Sequence, residues 1–240
     1  RFVLMNLSID EISLPDNPQL EDKWILSKYN ALVSEVTENL ERFEVGVAVS
    51  KLYDFIWEVY CDWYIELVKP RLYDENCETK IDAQKTLAYV LSGVLKLLHP
   101  FMPFVTEEIY CALPVKDDSI VISEWPLYIE SLNFSEEEYD MSIICDAIRG
   151  IRNIRAEMNI PPSKKSKLII VTEKADLFRM GDAFFKKLAF ASEVIITSVK
   201  EEINAVSVIV EGAEILLPTD ELVDREKELA RLSKEKENLE

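Results

Sequence analysis

Histidine is almost absent from this chain: His99 is the single one among 240 residues. A histidine-based metal cluster or catalytic triad therefore cannot be drawn from these residues alone. Cysteine is sparse and scattered. Cys61, Cys77, Cys111 and Cys145 offer no CxxC spacing, which argues against a zinc knuckle. In a chain of this size they are expected reduced and buried, as in the cytosol. Long apolar runs are missing, so no segment is expected to span a membrane, and no secretory signal is visible. Positive charge is scarce as well. The 27 Lys and Arg face 45 Asp and Glu, a net charge of −18. Averaged over the chain, that balance argues against nucleic acid, because phosphate contact needs Lys and Arg.

The charge is uneven, however. Between Arg149 and Lys167 stand six basic residues and one acid, a local +5 that leaves −23 for the rest. A basic island on an acidic body can bind RNA locally. Arg149, Arg152 and Arg155 recur every three residues and so form a stripe on one helix face. Lys164, Lys165 and Lys167 extend it into the following loop. The functional reading is contact with phosphates. The competing one is a solvated face, or salt bridges to the acidic remainder.

The hydrophobic pattern predicts a mainly α fold in three parts. Residues 1–130 read as a helical bundle. Asn17-Pro18 offers a cap and a helix-starting proline, and Ile25, Tyr29, Leu32, Val36 and Leu40 follow at steps of three and four. A second pattern runs through Val45, Val49, Leu52, Ile56, Val59, Trp63 and Leu67 and is expected to stop before Pro70. A third starts near Thr79 and carries Leu87, Leu91, Val94 and Leu98. A short fourth opens at Pro103. Residues 131–218 read as a small α+β domain. Ser119 to Ile122, ahead of it, suggests a short strand. Ser135 with Glu138 has the spacing of a capping box, and Met141, Ile144, Ile148, Ile151 and Met158 share one helical face. Strands are expected at 167–172, 194–197, 206–210 and 215–217, with a helix over 176–190 and a tight turn at Glu211-Gly212. Residues 219–240 read as the start of a coiled coil, with Leu222, Leu229, Leu232 and Leu239 along its seam. The chain opens on Arg1-Phe-Val-Leu-Met and ends inside a charged pattern, as expected of a piece of a longer protein.

Several residues invite chemistry and receive plainer readings. Trp63 lies on the apolar stripe, so core packing outweighs stacking on bases, and Asp62 beside it reads as a structural hydrogen-bonding or ion-pairing group. His99 at a helix end is expected to cap free carbonyls. Glu107 and Glu108 suit the first turns of a helix, and no converging groups suggest hydrolytic work.

Six strings, in order, resemble class I aminoacyl-tRNA synthetases of the valyl, isoleucyl, leucyl and methionyl group. They are RFVLMNL at 1–7, DKWILSKYN at 22–30, LYDFIWEVYCDWYIELVKPRL at 52–72, LKLLHPFMPFVTEEIY at 95–110, SEWP at 123–126 and IRGIRNIRAEMNIPPSKK at 148–165. His99 and the last string are most similar to the valyl-tRNA synthetases. So is a coiled-coil arm after a small α+β domain. The resemblance implies an anticodon-binding bundle whose partner is valine tRNA, met through the A and C that end its anticodon, with neither DNA nor membrane as a partner. It implies a cytoplasmic monomer. In the relatives the anticodon bases are met by the first part of the bundle and the facing helix, here around Leu87 to Leu91; by match to the first two strings, Arg1 and Met5 would line that pocket. Trp24 would be a stacking platform, and Lys28 would reach a phosphate. Arg149, Arg152, Arg155, Lys164, Lys165 and Lys167 would hold the tRNA backbone. The group's HIGH-type and KMSKS-type strings and its editing segment are not in the chain. Catalysis is therefore not expected here, and no cofactor either; ATP and magnesium belong to the whole enzyme. The rival readings are the same region of an isoleucyl or leucyl enzyme, and a helical protein-interaction module.

Overall fold

The computed structural model describes residues 1–200 and 203–218. The coiled coil expected over 219–240 lies outside the described residues. The chain divides into two compact units, Arg1–Met141 and Ser142–Glu240.

The first unit is helical. A short α1 (Phe2–Asn6) leads to α2 (Leu20–Glu41), which starts two residues later than Asn17-Pro18 suggested. Its cap is Gln19, whose backbone N–H donates to Asp22 Oδ2 at 2.9 Å. The amides of Asp16 and Asn17 donate instead to Asp82 Oδ1, at 2.8 and 3.3 Å. The face carrying Ile25, Tyr29, Leu32 and Val36 is buried as the periodicity required.

Residues 45–73 are continuously helical in three parts: α3 (Val45–Asp54), a π-helix (Phe55–Tyr64) and α4 (Ile65–Tyr73). The wider turn of the π segment moves the buried positions. Phe55, Tyr60, Trp63 and Tyr64 face inward, whereas Ile56 and Val59 are only half-buried. Pro70 does not stop the helix. It sits exposed near the end of α4, and the turn continues because Leu72 is buried and Arg71 is tied down on three sides. The third long helix, α5 (Lys80–Leu98), begins after Thr79 as expected, and α6 (Pro103–Cys111) opens on its proline. The expected strand at Ser119 to Ile122 is a 3-10 turn, Ile120–Ile122, in which the Ser119 hydroxyl accepts from the Val121 amide at 3.3 Å. Helix packing is close enough that a Cβ at Gly93 would lie 1.8 Å from Tyr29 Oη.

One buried polar cluster locks α2 to α4 and to the loop before α5. Arg71 Nη1 donates to Glu21 Oε1 at 2.6 Å and to Asp22 Oδ2 at 2.8 Å. Its Nε and Nη2 donate to Thr79 Oγ1 and the Thr79 carbonyl. The Tyr64 hydroxyl donates to Asp22 Oδ1 at 2.7 Å. Two carboxylates thus share one guanidinium. Burial and the neighbouring Asp22 push the Glu21 carboxyl up, outweighing the pull of Arg71. A group whose folded pKa is raised contributes stability that is complete below its unfolded pKa and is lost as pH rises through the folded one. Relative to Glu21→Gln, the native chain is therefore expected to lose stability on going from about pH 4 to pH 7. Urea midpoints of both proteins across that range check this; a native-minus-variant difference that stays flat or grows as the pH rises would contradict it.

Helix α7 (Ser135–Glu157) crosses from one unit to the other. The division at Met141 falls later than the 130/131 boundary expected, because its first turns are fastened to α2. Lys23 Nζ meets Glu137 at 2.8 Å, the Ser27 hydroxyl donates to Glu138 Oε2 at 2.9 Å, and Lys28 pairs with Glu138. These ties engage the Glu138 carboxylate that the capping box would have used, while the Ser135 hydroxyl donates to Asn133 Oδ1.

The second unit carries a four-stranded sheet in the order β2-β1-β4-β3, with β1 (Ser166–Thr172) parallel to β2 (Ala191–Thr197). Both β1 and β3 (Ala205–Val210) run antiparallel to β4 (Ala213–Pro218). The parallel pair requires a crossover. It is made by two short helices, α8 (Ala175–Met180) and α9 (Asp182–Leu188), broken at Gly181 where one helix had been expected. Gly212 holds φ 75 in the β3–β4 turn, where glycine is the unstrained residue. Met141, Ile144, Ile148 and Ile151 of α7 are fully buried. Helix α7 passes so close to β3 that a Cβ on Gly150 would lie 2.4 Å from Val208 Cγ1.

Candidate nucleic-acid interface

Charge separates along the chain. Residues 1–141 carry 11 basic and 27 acidic side chains, whereas residues 142–200 carry 11 basic and only 6 acidic ones. A polyanion is therefore attracted by the second segment and repelled by the first.

The expected anticodon pocket does not assemble as one surface. Trp24 is 5% exposed and packs in the core, so it offers no stacking platform. Leu87 is fully buried, and its carbonyl accepts from the Tyr60 hydroxyl at 2.8 Å. Leu91 is half-buried and, like Leu4 of α1 and Leu7 just after it, packs against Leu95, Tyr110, Leu113 and Ile120. Arg1, which precedes α1, and Met5, on it, are exposed. Lys28 pairs with Glu138 and lines a depression that also holds Glu35, Asp54, Glu58 and Lys51. Lys51 is itself paired with Glu35. Carboxylates dominate that depression, so Lys28 is poorly placed for a phosphate. His99 is the C-cap residue of α5, its backbone N–H donating to the Lys96 carbonyl at 3.3 Å; its ring, expected to face free carbonyls, instead has Nδ1 2.8 Å from the Thr106 hydroxyl.

The basic stripe on α7 divides by depth. Arg149 is exposed and pairs with Asp146 at 2.9 Å. Arg152 is exposed, and its Nε donates to the Leu188 carbonyl at 2.7 Å. Arg155 is only 3% exposed, so it cannot be a phosphate contact. The helix period explains this: 155 shares the inward face with Ile144, Ile148 and Ile151. Lys165 is exposed, Lys164 is half-buried, and Lys167 pairs with Glu193 at 3.4 Å. The bond from Arg152 to Leu188 also brings the end of α9 beside the stripe, with Lys186 and Lys187 exposed on its last turn. Sequence reasoning missed these two. Their pairing with the arginine stripe depends on how a helix some thirty residues away packs, and the one local signal was two cations at a helix C-terminus.

Among the described residues no group of His, Cys, Asp and Glu could hold a metal ion, and no helix is long and apolar enough to cross a membrane. The four cysteines are free; Cys145 alone is buried, and Cys111 is exposed, against the expectation that all would be buried.

The profile of the family described as anticodon-binding domain of tRNA ligase matches residues 22–170, from α2 through the arginine stripe and its loop into β1. The chain belongs to this family. Within the anticodon-binding family, the Valine–tRNA ligase of Clostridium perfringens is 50% identical over all of this chain and 28% of its own length. That of Clostridium acetobutylicum is also 50% identical with the same coverage. That of Bacillus subtilis is 39% identical over the whole chain and 28% of the relative. The chain thus spans little more than a quarter of the curated relatives it matches.

Proposed function

We propose that this chain is the tRNA-recognition part of a valine–tRNA ligase, and that it positions valine tRNA for aminoacylation carried out elsewhere in the ligase with ATP and magnesium. The observation that carries this is the end-to-end likeness to valine–tRNA ligases, half identical over every residue of the chain. The charge distribution supports it and refines it. Phosphates would meet the cationic second segment, through Arg149, Arg152, Lys164, Lys165 and Lys167, and the acidic helical unit would contribute at most Arg1, Met5 and the edge of Leu91. In the ligase, contacts this far from the reacting atoms act by orienting the acceptor end, so their binding energy is realised in the transition state. Four free cysteines fit a reducing cytoplasm, and a monomer is the simplest state for this reading.

Titration of the 240-residue chain with valine, isoleucine and leucine tRNA transcripts at low salt tests the proposal. Valine tRNA is expected to bind about tenfold or more tightly than the others, a gap of roughly 1.4 kcal/mol. Equal affinity for all three would remove the valine assignment. An absence of binding at low salt would remove RNA recognition altogether.

A further inference from the structure

The loop over residues 161–166, between α7 and β1, is held from beneath by one side chain. Arg155 Nη1 donates to Ser166 Oγ at 2.9 Å, and Nη2 donates to the carbonyls of Pro161 at 3.2 Å and Lys164 at 2.5 Å. The guanidinium lies over the Phe190 ring, 5.4 Å from its centroid. Every one of these partners is neutral. A buried cation without a carboxylate is costly, and burial lowers its pKa accordingly. An apolar side chain of similar length would fill the same space at less cost.

A second local cost sits at the same point. Phe190 holds φ 57, a conformation bulky residues avoid and Gly or Asn tolerate. Its ring is the platform under the guanidinium, and its carbonyl accepts from the Ser166 amide at 3.1 Å. The helix end completes the frame. Asn159 takes φ 53, its N–H donates to the Ala156 carbonyl, and the Ile160 N–H donates to the Arg155 carbonyl at 2.8 Å. This is the Schellman termination. Together these contacts give the loop one shape.

What the shape displays is charge. Lys165 stands exposed between two residues whose atoms Arg155 holds. One helical turn earlier, Arg152 ties α7 to Leu188, next to the exposed Lys187. Neither Lys165 nor Lys187 has an ion-pair partner among the described residues. The acids nearest in sequence are Glu157 and Glu173 on either side of Lys165, and, on either side of Lys187, Asp182, which is paired with Lys186, and Glu193, which is paired with Lys167.

We propose that Arg155 is the positioning residue of a phosphodiester-binding ridge in which Lys165 and Lys187 contact the backbone of the bound RNA. This rests on the reading that the chain binds tRNA. The arginine touches no phosphate. It fixes the loop that presents Lys165.

The test is the salt dependence of binding by the 240-residue chain to a valine tRNA transcript. Each phosphate contact contributes about one unit to the log–log slope, or about threefold in affinity between 50 and 200 mM salt. Lys165→Gln and Lys187→Gln are each expected to lower the slope by about one. Arg155→Met is expected to lower it as much as Lys165→Gln, and the double variant no further than either. Arg155→Lys should behave as Arg155→Met, because an ammonium cannot reach three acceptors from one planar fork. A merely structural role would shift the melting temperature and leave the slope alone. Should Arg155→Met fail to fold, Ser166→Ala removes a single contact and is expected to shift the slope the same way. A native slope in a folded Arg155 or Ser166 variant, or additive losses in the double variant, overturns the positioning role. Unchanged slopes in both lysine variants overturn the ridge while leaving tRNA recognition standing. No binding by the native chain overturns both.

Discussion

Arg71→Met is expected to destabilise the helical unit by about 3–5 kcal/mol, the usual result of removing one partner from a buried ion pair. The substitution leaves Glu21 and Asp22 adjacent, buried and without their cation. It also cuts the two hydrogen bonds that hold the Thr79 turn at the start of α5. Arg71→Lys is expected to recover only part of the loss, since one ammonium cannot serve two carboxylates and a carbonyl in the plane the guanidinium occupies. The measurement is unusually clean. All four tryptophans, Trp24, Trp57, Trp63 and Trp125, lie in the first unit, so their fluorescence follows that unit alone. A melting midpoint lowered by about 10 °C is the expected scale. A midpoint within about 1 °C of native would mean that the cluster contributes nothing net.

The second large effect is expected at Leu87. Its side chain is fully buried, so Leu87→Ala should cost about 2–5 kcal/mol through lost transfer energy and the cavity left behind. The same variant, assayed at a temperature where it stays folded, should bind tRNA as the native chain does. Stability and binding therefore separate the two roles this residue has been given. Native stability with tenfold weaker binding would restore Leu87 to an RNA-facing surface.

Leu87 also shows where reading the sequence stops. The strings on either side of it pointed to the right kind of protein, and the periodicity of α2 and α5 located their helices to within a residue or two. Neither can say which side of a helix faces a partner when the helix is packed on several sides. Trp24 shows the same limit: its string implies a stacking platform, yet it sits at 5% exposure in the core. In the π-helix the error is one of period. Stepping by 3.6 residues puts Ile56 and Val59 inside, and the wider turn puts Phe55 and Tyr60 there. Pro70 was read by its general habit, but burial of Leu72 and the ties of Arg71 carry the helix past it. Arg155 was legible as a cation and not as a buried one, because its three acceptors come from residues that only the folded loop brings together. Lys187 carries only the weak local signal of two cations at a helix end, and its place beside Arg152 comes from the packing of α9.

The sixteen surplus carboxylates of the helical unit set a condition on how RNA can approach it. A sugar–phosphate chain laid along that surface would be repelled along its length, and any close passage would have to draw in mobile cations. Nucleobases carry no such charge. On the proposed reading, an anticodon loop meeting this unit would turn its bases inward and its backbone toward solvent, so that hydrogen-bonding edges are read while the ionic attraction comes from the cationic segment.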